Sequence, residues 1–301
     1  MKIVVTGAGG LIGRPLVAAL LDAGHDVTRL VRRTPQASDE VAWDPAAGTI
    51  DATGLEGVSV AVHLAGAGIG DRRWTDSYKR EILDSRVNGT HLLASALAGL
   101  DPKPSVMVSA SAIGWYGDRG DEILDETASK GAGFLADVTA AWEAATEPAA
   151  AAGIRVVHPR TGIVLSKDGG ALQRLLLPFK LGAGGRIGSG DQWWSWITLE
   201  DEVAALMHLG LTSEMAGPVN LTAPDPVTNK DFVAALGAAL KRPAVLPTPS
   251  LALKAILGSE LAEALLFQSQ RVIPARLEAD GFEFRAPNLA DALSSALDAA
   301  G

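Results

Sequence analysis

Short apolar runs alternate with helical stretches through the first half of the chain. KIVVT (2–6) and DVTRLV (26–31) read as strands, and VSVAVHLAG (58–66) is apolar on both faces, as a buried parallel strand is. SVMVSAS (105–111) and IRVVHPRTGIVL (154–165) read likewise. Between them, apolar residues recur at helical spacing over 11–23, ending at Gly24, over about 76–100, and over 134–152 despite Pro148. This alternation predicts an α/β fold, a Rossmann-type doubly wound parallel sheet. After residue 168, glycine and proline punctuate the chain (PFKLGAGGRIGSGDQ, TAPDPVTNKD). Helices are expected there near 169–180, 200–211 and 228–240, then short helices over 250–266, a GFEF strand (281–284) and a closing helix at 288–299. The expected organisation is a dinucleotide-binding core over 1–168 and a mixed region over 169–301. That region returns partly to the core at about 193–220 and forms a smaller C-terminal substrate lobe at about 221–301.

One segment changes the picture from fold to chemistry. TGAGGLIG (6–13) follows a strand directly and opens a helix, at the start of a β–α–β unit. Gly7 permits a tight turn, Gly10 lets backbone approach a pyrophosphate, and Gly13 lets helix and strand pack closely. The helix N-terminus adds free N–H groups and a positive dipole end. At the end of the second strand, RLVRRTP places Arg32 and Arg33 where a carboxylate would select an unphosphorylated ribose. Guanidinium groups there favour a 2′-phosphate, so NADP is the expected cofactor.

Composition narrows the remaining options. A net charge of −9 with scattered Lys and Arg gives nucleic-acid binding little support. The absence of cysteine removes disulfides, thiolate ligands and cysteine nucleophiles together, and the five histidines lack HxH or HxxxH spacing, so no metal site is expected. No apolar run approaches the ~20 residues of a membrane span, and Gly7, Gly9, Gly10 and Gly13 interrupt any leader-like apolar core. A cytoplasmic protein acting on a small molecule is the expectation.

The TGxxGxxG spacing with HLAG (63–66) resembles the extended short-chain dehydrogenases, the nucleotide-sugar epimerase/dehydratase superfamily. WDP (43–45), HLAGAGIGDRRW (63–74), SRVNGTHLL (85–93), SASAIGWYGD (109–118), RTGIVLSKDGGAL (160–172), GSGDQWWSWITLED (188–201) and GPVNLTAP (217–224) resemble its atypical "epimerase family protein" branch. LPTPSLALKAILG (246–258) and SQRVIPARLEADGFEF (269–284) extend the likeness to the C-terminal lobe. The resemblance implies that Thr6, Gly7, Gly10, Leu11, Ile12 and Gly13 form a phosphate loop, and that Arg32 and Arg33 hold the 2′-phosphate. It further implies that Ala65 and Gly66 flank ribose and pyrophosphate, and that Ser109 to Ser111 and the run Pro159, Arg160, Thr161, Gly162 lie by the nicotinamide.

The chain departs from that superfamily at the chemistry. Its only tyrosines, Tyr78 and Tyr116, are followed four residues later by Ile82 and Gly120, so the usual YxxxK acid–base pair is absent. Anchored on Glu143, the two positions are Leu135 and Thr139. Ser111 matches the superfamily's catalytic serine and either orients a substrate oxygen or satisfies the strand end. Tyr116 either supplies a phenol or packs beside Trp115, and Lys79 either enters the cleft or stays on an exposed helix face. Arg73, Trp74, Gln192 and Ser195 are candidate substrate contacts, while Arg271 reaches either the cleft or a salt bridge and Asp201 caps a helix. Two functions therefore stand: an NADP-dependent oxidoreductase or epimerase-like enzyme with unusual proton transfer, or a non-catalytic NADP(H) sensor. A plain nucleotide-sugar epimerase is disfavoured without the tyrosine.

Overall fold

The computed structural model describes residues 1–244 and 247–298. A nine-stranded sheet forms its centre. From one edge the strands run Gly217–Leu221, Arg155–Thr161, Val106–Ser109, Val60–His63, Lys2–Thr6, Asp26–Val31, Glu40–Asp44 and Thr49–Ile50. All neighbours are parallel except the last pair, and Ser111–Ala112 continues beside Arg160 and Thr161. The mostly parallel doubly wound sheet expected from the sequence is present.

Apolar side chains on both faces of these strands require cover on both sides. Ile3, Val5, Val60, Val62, Val106 and Val108 pack toward the helices Gly13–Asp22 and Leu199–Leu211. Val4, Ala61 and Met107 point the other way, against Leu93, Ala94 and Leu97 of the helix Asp76–Ala98. A separate core around Trp194, Trp196, Phe179, Phe232 and Leu293 holds the C-terminal half together.

Several boundaries differ from expectation for local reasons. The helix over 134–152 is two helices, Phe134–Ala144 and Glu147–Ala151, with Pro148 in the first turn of the second, where its missing N–H costs nothing. The strand over 154–165 divides at Gly162 into Arg155–Thr161 and Ile163–Leu165, and the second piece pairs with Trp196–Thr198. GFEF forms no strand: Phe282 meets Phe284 edge-on, with ring centroids 5.0 Å apart, and Phe282 also packs on His208. The closing helix is Leu289–Asp298; residue 299 of that expectation, Leu246 of the 246–258 motif and the final residues 300–301 lie outside the described residues. Among the described residues, no helix is long and apolar enough to cross a membrane.

Candidate functional site

The chain leaves Lys2–Thr6 toward Asp26–Val31 and Glu40–Asp44 on one side, then crosses back to Val60–His63 on the other. Such a reversal opens a crevice at the carboxyl ends of the two diverging strands, the place where open α/β sheets bind ligands. Residues 7–12 fill its rim. Gly7 has φ +68°, and a Cβ there would sit 2.9 Å from the Leu64 carbonyl carbon. A Cβ on Gly13 would lie 2.1 Å from the Gly7 oxygen, so the helix can butt against the loop only with hydrogen at that point. Gly10 is exposed, and its backbone fronts the open crevice. The helix Gly13–Asp22 has no side-chain cap; Arg14 N–H already bonds to Gly10 O at 3.1 Å and Pro15 has none, so the N–H groups left for an anion are those of Leu11, Ile12 and Gly13. Leu11 packs toward Gly169 and Gly170, and half-buried Ile12 contributes to the core beneath.

Thr6 is fully buried, so its hydroxyl pins the loop instead of reaching a ligand. It accepts from Leu64 N (3.0 Å) and Ala65 N (3.1 Å) and lies 2.7 Å from His63 Nδ1. With two donors already on the hydroxyl oxygen, its proton goes to Nδ1, which leaves the imidazole proton on Nε2. Burial holds this histidine neutral and drives its pKa down to about 3. Gly66, beyond Ala65, is exposed at the strand end, with the Arg86 side chain behind it.

The two arginines of RLVRRTP separate. Arg33 is forked onto Glu40 at 2.8 and 2.6 Å, against the expectation that it holds a phosphate, and the pairing keeps Glu40 ionised with a pKa near 2. Arg32 is exposed and has no partner among the described residues. Of the expected pair, Arg32 is the guanidinium left for a 2′-phosphate.

At the ends of the next strands, Ser111 Oγ donates to Glu143 Oε1 (2.7 Å). The same carboxylate receives Arg160 Nε at 2.8 Å and Nη2 at 3.0 Å. Arg160 is therefore a buried structural cation, also stacked on Trp115, and not a group lying along a cofactor. Tyr116 is likewise corrected: wholly buried, its hydroxyl donates to Asn220 Oδ1 and accepts from Arg160, and its phenol cannot reach a substrate. Ser109 is buried with its hydroxyl unpartnered, and Pro159 is buried within its strand opposite Val219. Thr161 and Gly162 do line the cleft, and Thr161 donates to Glu202 Oε1 at 2.8 Å. Glu202 Oε2 has no partner, and burial pushes this carboxyl up to about 8, so it carries a proton at neutral pH.

The cleft beside these strand ends has a volume of about 200 Å³. Leu135 and Thr139, where the tyrosine and lysine would stand, form part of its wall. The candidate substrate contacts divide. Gln192 donates to the Ile187 and Leu266 carbonyls. Ser195 lines the cleft, but its hydroxyl is bound to Gln270 O and Val272, and the Gln192 and Ser195 polar groups both brace the fold. Trp74 donates to Ile69 O and packs edge-on to Phe134. Arg73 is exposed and lies over Gly258. Lys79 bridges to Glu260 at 2.6 Å, and Arg271 stacks on Trp193. Asp201 is buried and accepts from Arg285 N and Ala286 N, while Thr198 caps its helix. Arg86, Glu202 and Gln268 were not singled out from the sequence, and Glu143 served there only as an alignment anchor. For Arg86 a signal existed: it continues the buried Tyr78, Ile82 stripe at i+4 spacing.

Sequence and structure comparisons agree with this geometry. Residues 248–296 match a domain described as of unknown function, DUF1731. Epimerase family protein Mb2239 of Mycobacterium bovis is 45% identical over 98% of this chain and 97% of its own length. Epimerase family protein SDR39U1 of Bos taurus is 37% identical over 99% of this chain. The crystal structure of human epimerase family protein SDR39U1 (isoform 2) with NADPH superposes with a TM-score of 0.89 at 34% identity, covering 99% of this chain and 100% of that one. A nucleoside-diphosphate sugar epimerase from Corynebacterium glutamicum gives a TM-score of 0.80 at 37% identity, this chain spanning 58% of it. Residues 3–221 match the NAD dependent epimerase/dehydratase family, and with the glycine loop at the sheet's switch point this chain belongs to that family.

Proposed function

We propose that the protein binds NADPH at the switch point and is an oxidoreductase or epimerase-like enzyme acting on a small carbonyl or hydroxyl substrate in the adjoining cleft. The observation that carries the reading is the contact between Gly13 and the Gly7 carbonyl, which seats an uncapped helix N-terminus against an open backbone loop. Residues 7–13 would hold the diphosphate and Arg32 the 2′-phosphate. The similarity to a human protein crystallised with NADPH supports the same cofactor. Bound there, the dinucleotide supplies hydride transfer.

Of the hydroxyls at these strand ends, Thr161 lines the cleft and Ser111 lies buried next to the lining residue Ala112, and each is backed by an acid. Ser111 is oriented by Glu143, and Thr161 rests on a Glu202 that is protonated at neutral pH. The Thr161–Glu202 pair would orient a substrate oxygen and hold the proton that the missing tyrosine holds elsewhere, with Ser111 fixing the adjoining strand end. Leu135 and Thr139 on the cleft wall favour the second reading, an NADPH-dependent sensor without turnover.

Titration with NADPH and NADH tests the cofactor. Arg32→Ala is expected to weaken NADPH by on the order of tenfold to a hundredfold, the range of a charge-assisted bond, while leaving NADH unchanged. Equal weakening of both would remove Arg32 from the 2′-phosphate. Absorbance of the reduced nicotinamide, followed with a panel of aldehydes, ketones and nucleotide sugars, separates enzyme from sensor: tight NADPH binding without turnover on any of them favours the sensor.

A further inference from the structure

Arg86 is placed unlike the other arginines described so far. It rises from the helix Asp76–Ala98 behind Gly66, with its guanidinium 4.9 Å from the Trp142 ring, and it lines the cleft. Only Nη1 is hydrogen-bonded, to the carbonyls of Ala67 (2.9 Å) and Ile82 (3.1 Å). Its remaining N–H groups have no acceptor, and no carboxylate pairs with it among the described residues. Burial lowers its pKa to about 10, opposed only by the Tyr78 hydroxyl. A largely buried cation is expensive to leave without a counter-charge, and Arg160 nearby shows the usual solution in its forked pair with Glu143.

The rest of the lining defines what the counter-charge is attached to. Arg86 is the one charged side chain among the described residues around the cleft. Ile113, Leu135, Ile163, Trp193 and Leu265 supply apolar walls. Gln268 adds an amide with no partner among the described residues, whereas Gln270 is already spent on the Ile113 and Gly117 carbonyls. A nucleotide sugar would leave many hydroxyls unsatisfied against such walls. Resting on the cofactor reading above, we infer that the cleft takes a substrate with an apolar body and a single carboxylate, and that Arg86 binds the carboxylate.

The test uses the full-length protein saturated with NADPH and three matched probe pairs: phenylacetate, indole-3-acetate and octanoate, each against its primary amide. Calorimetric titration is expected to show at least a tenfold preference for the carboxylate in one or more pairs, diminishing as salt is raised. Arg86→Met is expected to bring that preference within twofold while NADPH affinity stays within twofold of wild type. Because removing the stacked guanidinium can unsettle the fold, Arg86→Gln is measured in parallel, and an unchanged melting temperature certifies either variant. No preference in any pair with the wild-type protein overturns the inference. So does an Arg86 variant that melts at the wild-type temperature yet loses NADPH tenfold or more, since the cofactor diphosphate is then the anion held. A wild-type protein that fails to bind NADPH, yet prefers the carboxylates, sinks the cofactor assignment and leaves the anion site standing.

Discussion

Gly13→Ala is expected to lose NADPH binding by at least a hundredfold, roughly 3 kcal/mol, and to unfold at a lower temperature than the wild type. The added methyl would be 2.1 Å from the Gly7 oxygen and 2.9 Å from Ala8 Cα, both backbone atoms. Neither can rotate away as a side chain would. Relief requires lifting the helix Gly13–Asp22 from the loop, or the loop from Leu64, where Gly7 is itself already in close contact. Overpacking of this kind costs about 1–3 kcal/mol and sometimes more. Gly10→Val supplies the contrast. Its neighbour at 3.2 Å is again the Gly7 oxygen, but the residue is exposed at the crevice, so the variant should melt near wild type and still fail to bind cofactor. Melting curves and NADPH titrations on both variants check this. A Gly13→Ala protein with wild-type affinity would show that the contact does not shape the loop.

Glu202→Gln is expected to melt higher than wild type in alkaline buffer, with the gap opening as pH rises. The folded carboxyl titrates near 8, against about 4.5 in the unfolded chain, because burial disfavours its charge. Below pH 4.5 both states carry the proton, and the group adds no pH dependence. Between 4.5 and 8 the folded chain holds a proton that the unfolded chain has released, so stability falls with rising pH and levels off above 8. At about 1.4 kcal/mol per pKa unit the loss amounts to several kcal/mol. Glutamine preserves the acceptor for Thr161 and cannot ionise. Thermal melts of both proteins between pH 5 and 9 should run close together at the acid end and diverge by on the order of 5 °C or more above pH 8. Parallel curves throughout would show that Glu202 ionises freely in the folded state.

What could be read in advance was whatever local rhythm decides. The N-terminal strands, the glycine loop and the helix Asp76–Ala98 are visible because period and punctuation agree along a continuous segment. The strand Glu40–Asp44 was missed because EVAWD is short and acidic at both ends, and its place in the sheet comes from pairing with Arg29 to Val31. GFEF alternates as a strand does, but its phenylalanines serve as aromatic contacts against His208 and each other. Polar side chains misled most. Tyr116, Gln192, Ser195 and Arg160 sit in motifs that look site-like, yet each satisfies groups from elements far along the chain: Asn220, Leu266, Val272 and Glu143. Arg33 was lost to Glu40 in the same way. Spacing cannot show which polar group a distant carbonyl or carboxylate has already taken.

The outermost parallel strand, Gly217–Leu221, has a consequence for how the molecule is made. Its partner, Arg155–Thr161, emerges from the ribosome first and presents an unpaired row of amides and carbonyls until residues 217–221 follow. At ~5–20 residues per second that interval lasts roughly 3–11 s. During it the nascent chain carries an open, apolar border of the kind that recruits other strands. Holdase chaperones acting on this protein should therefore be needed most while residues 162–216 are emerging, and a pause in that interval should raise the aggregated fraction.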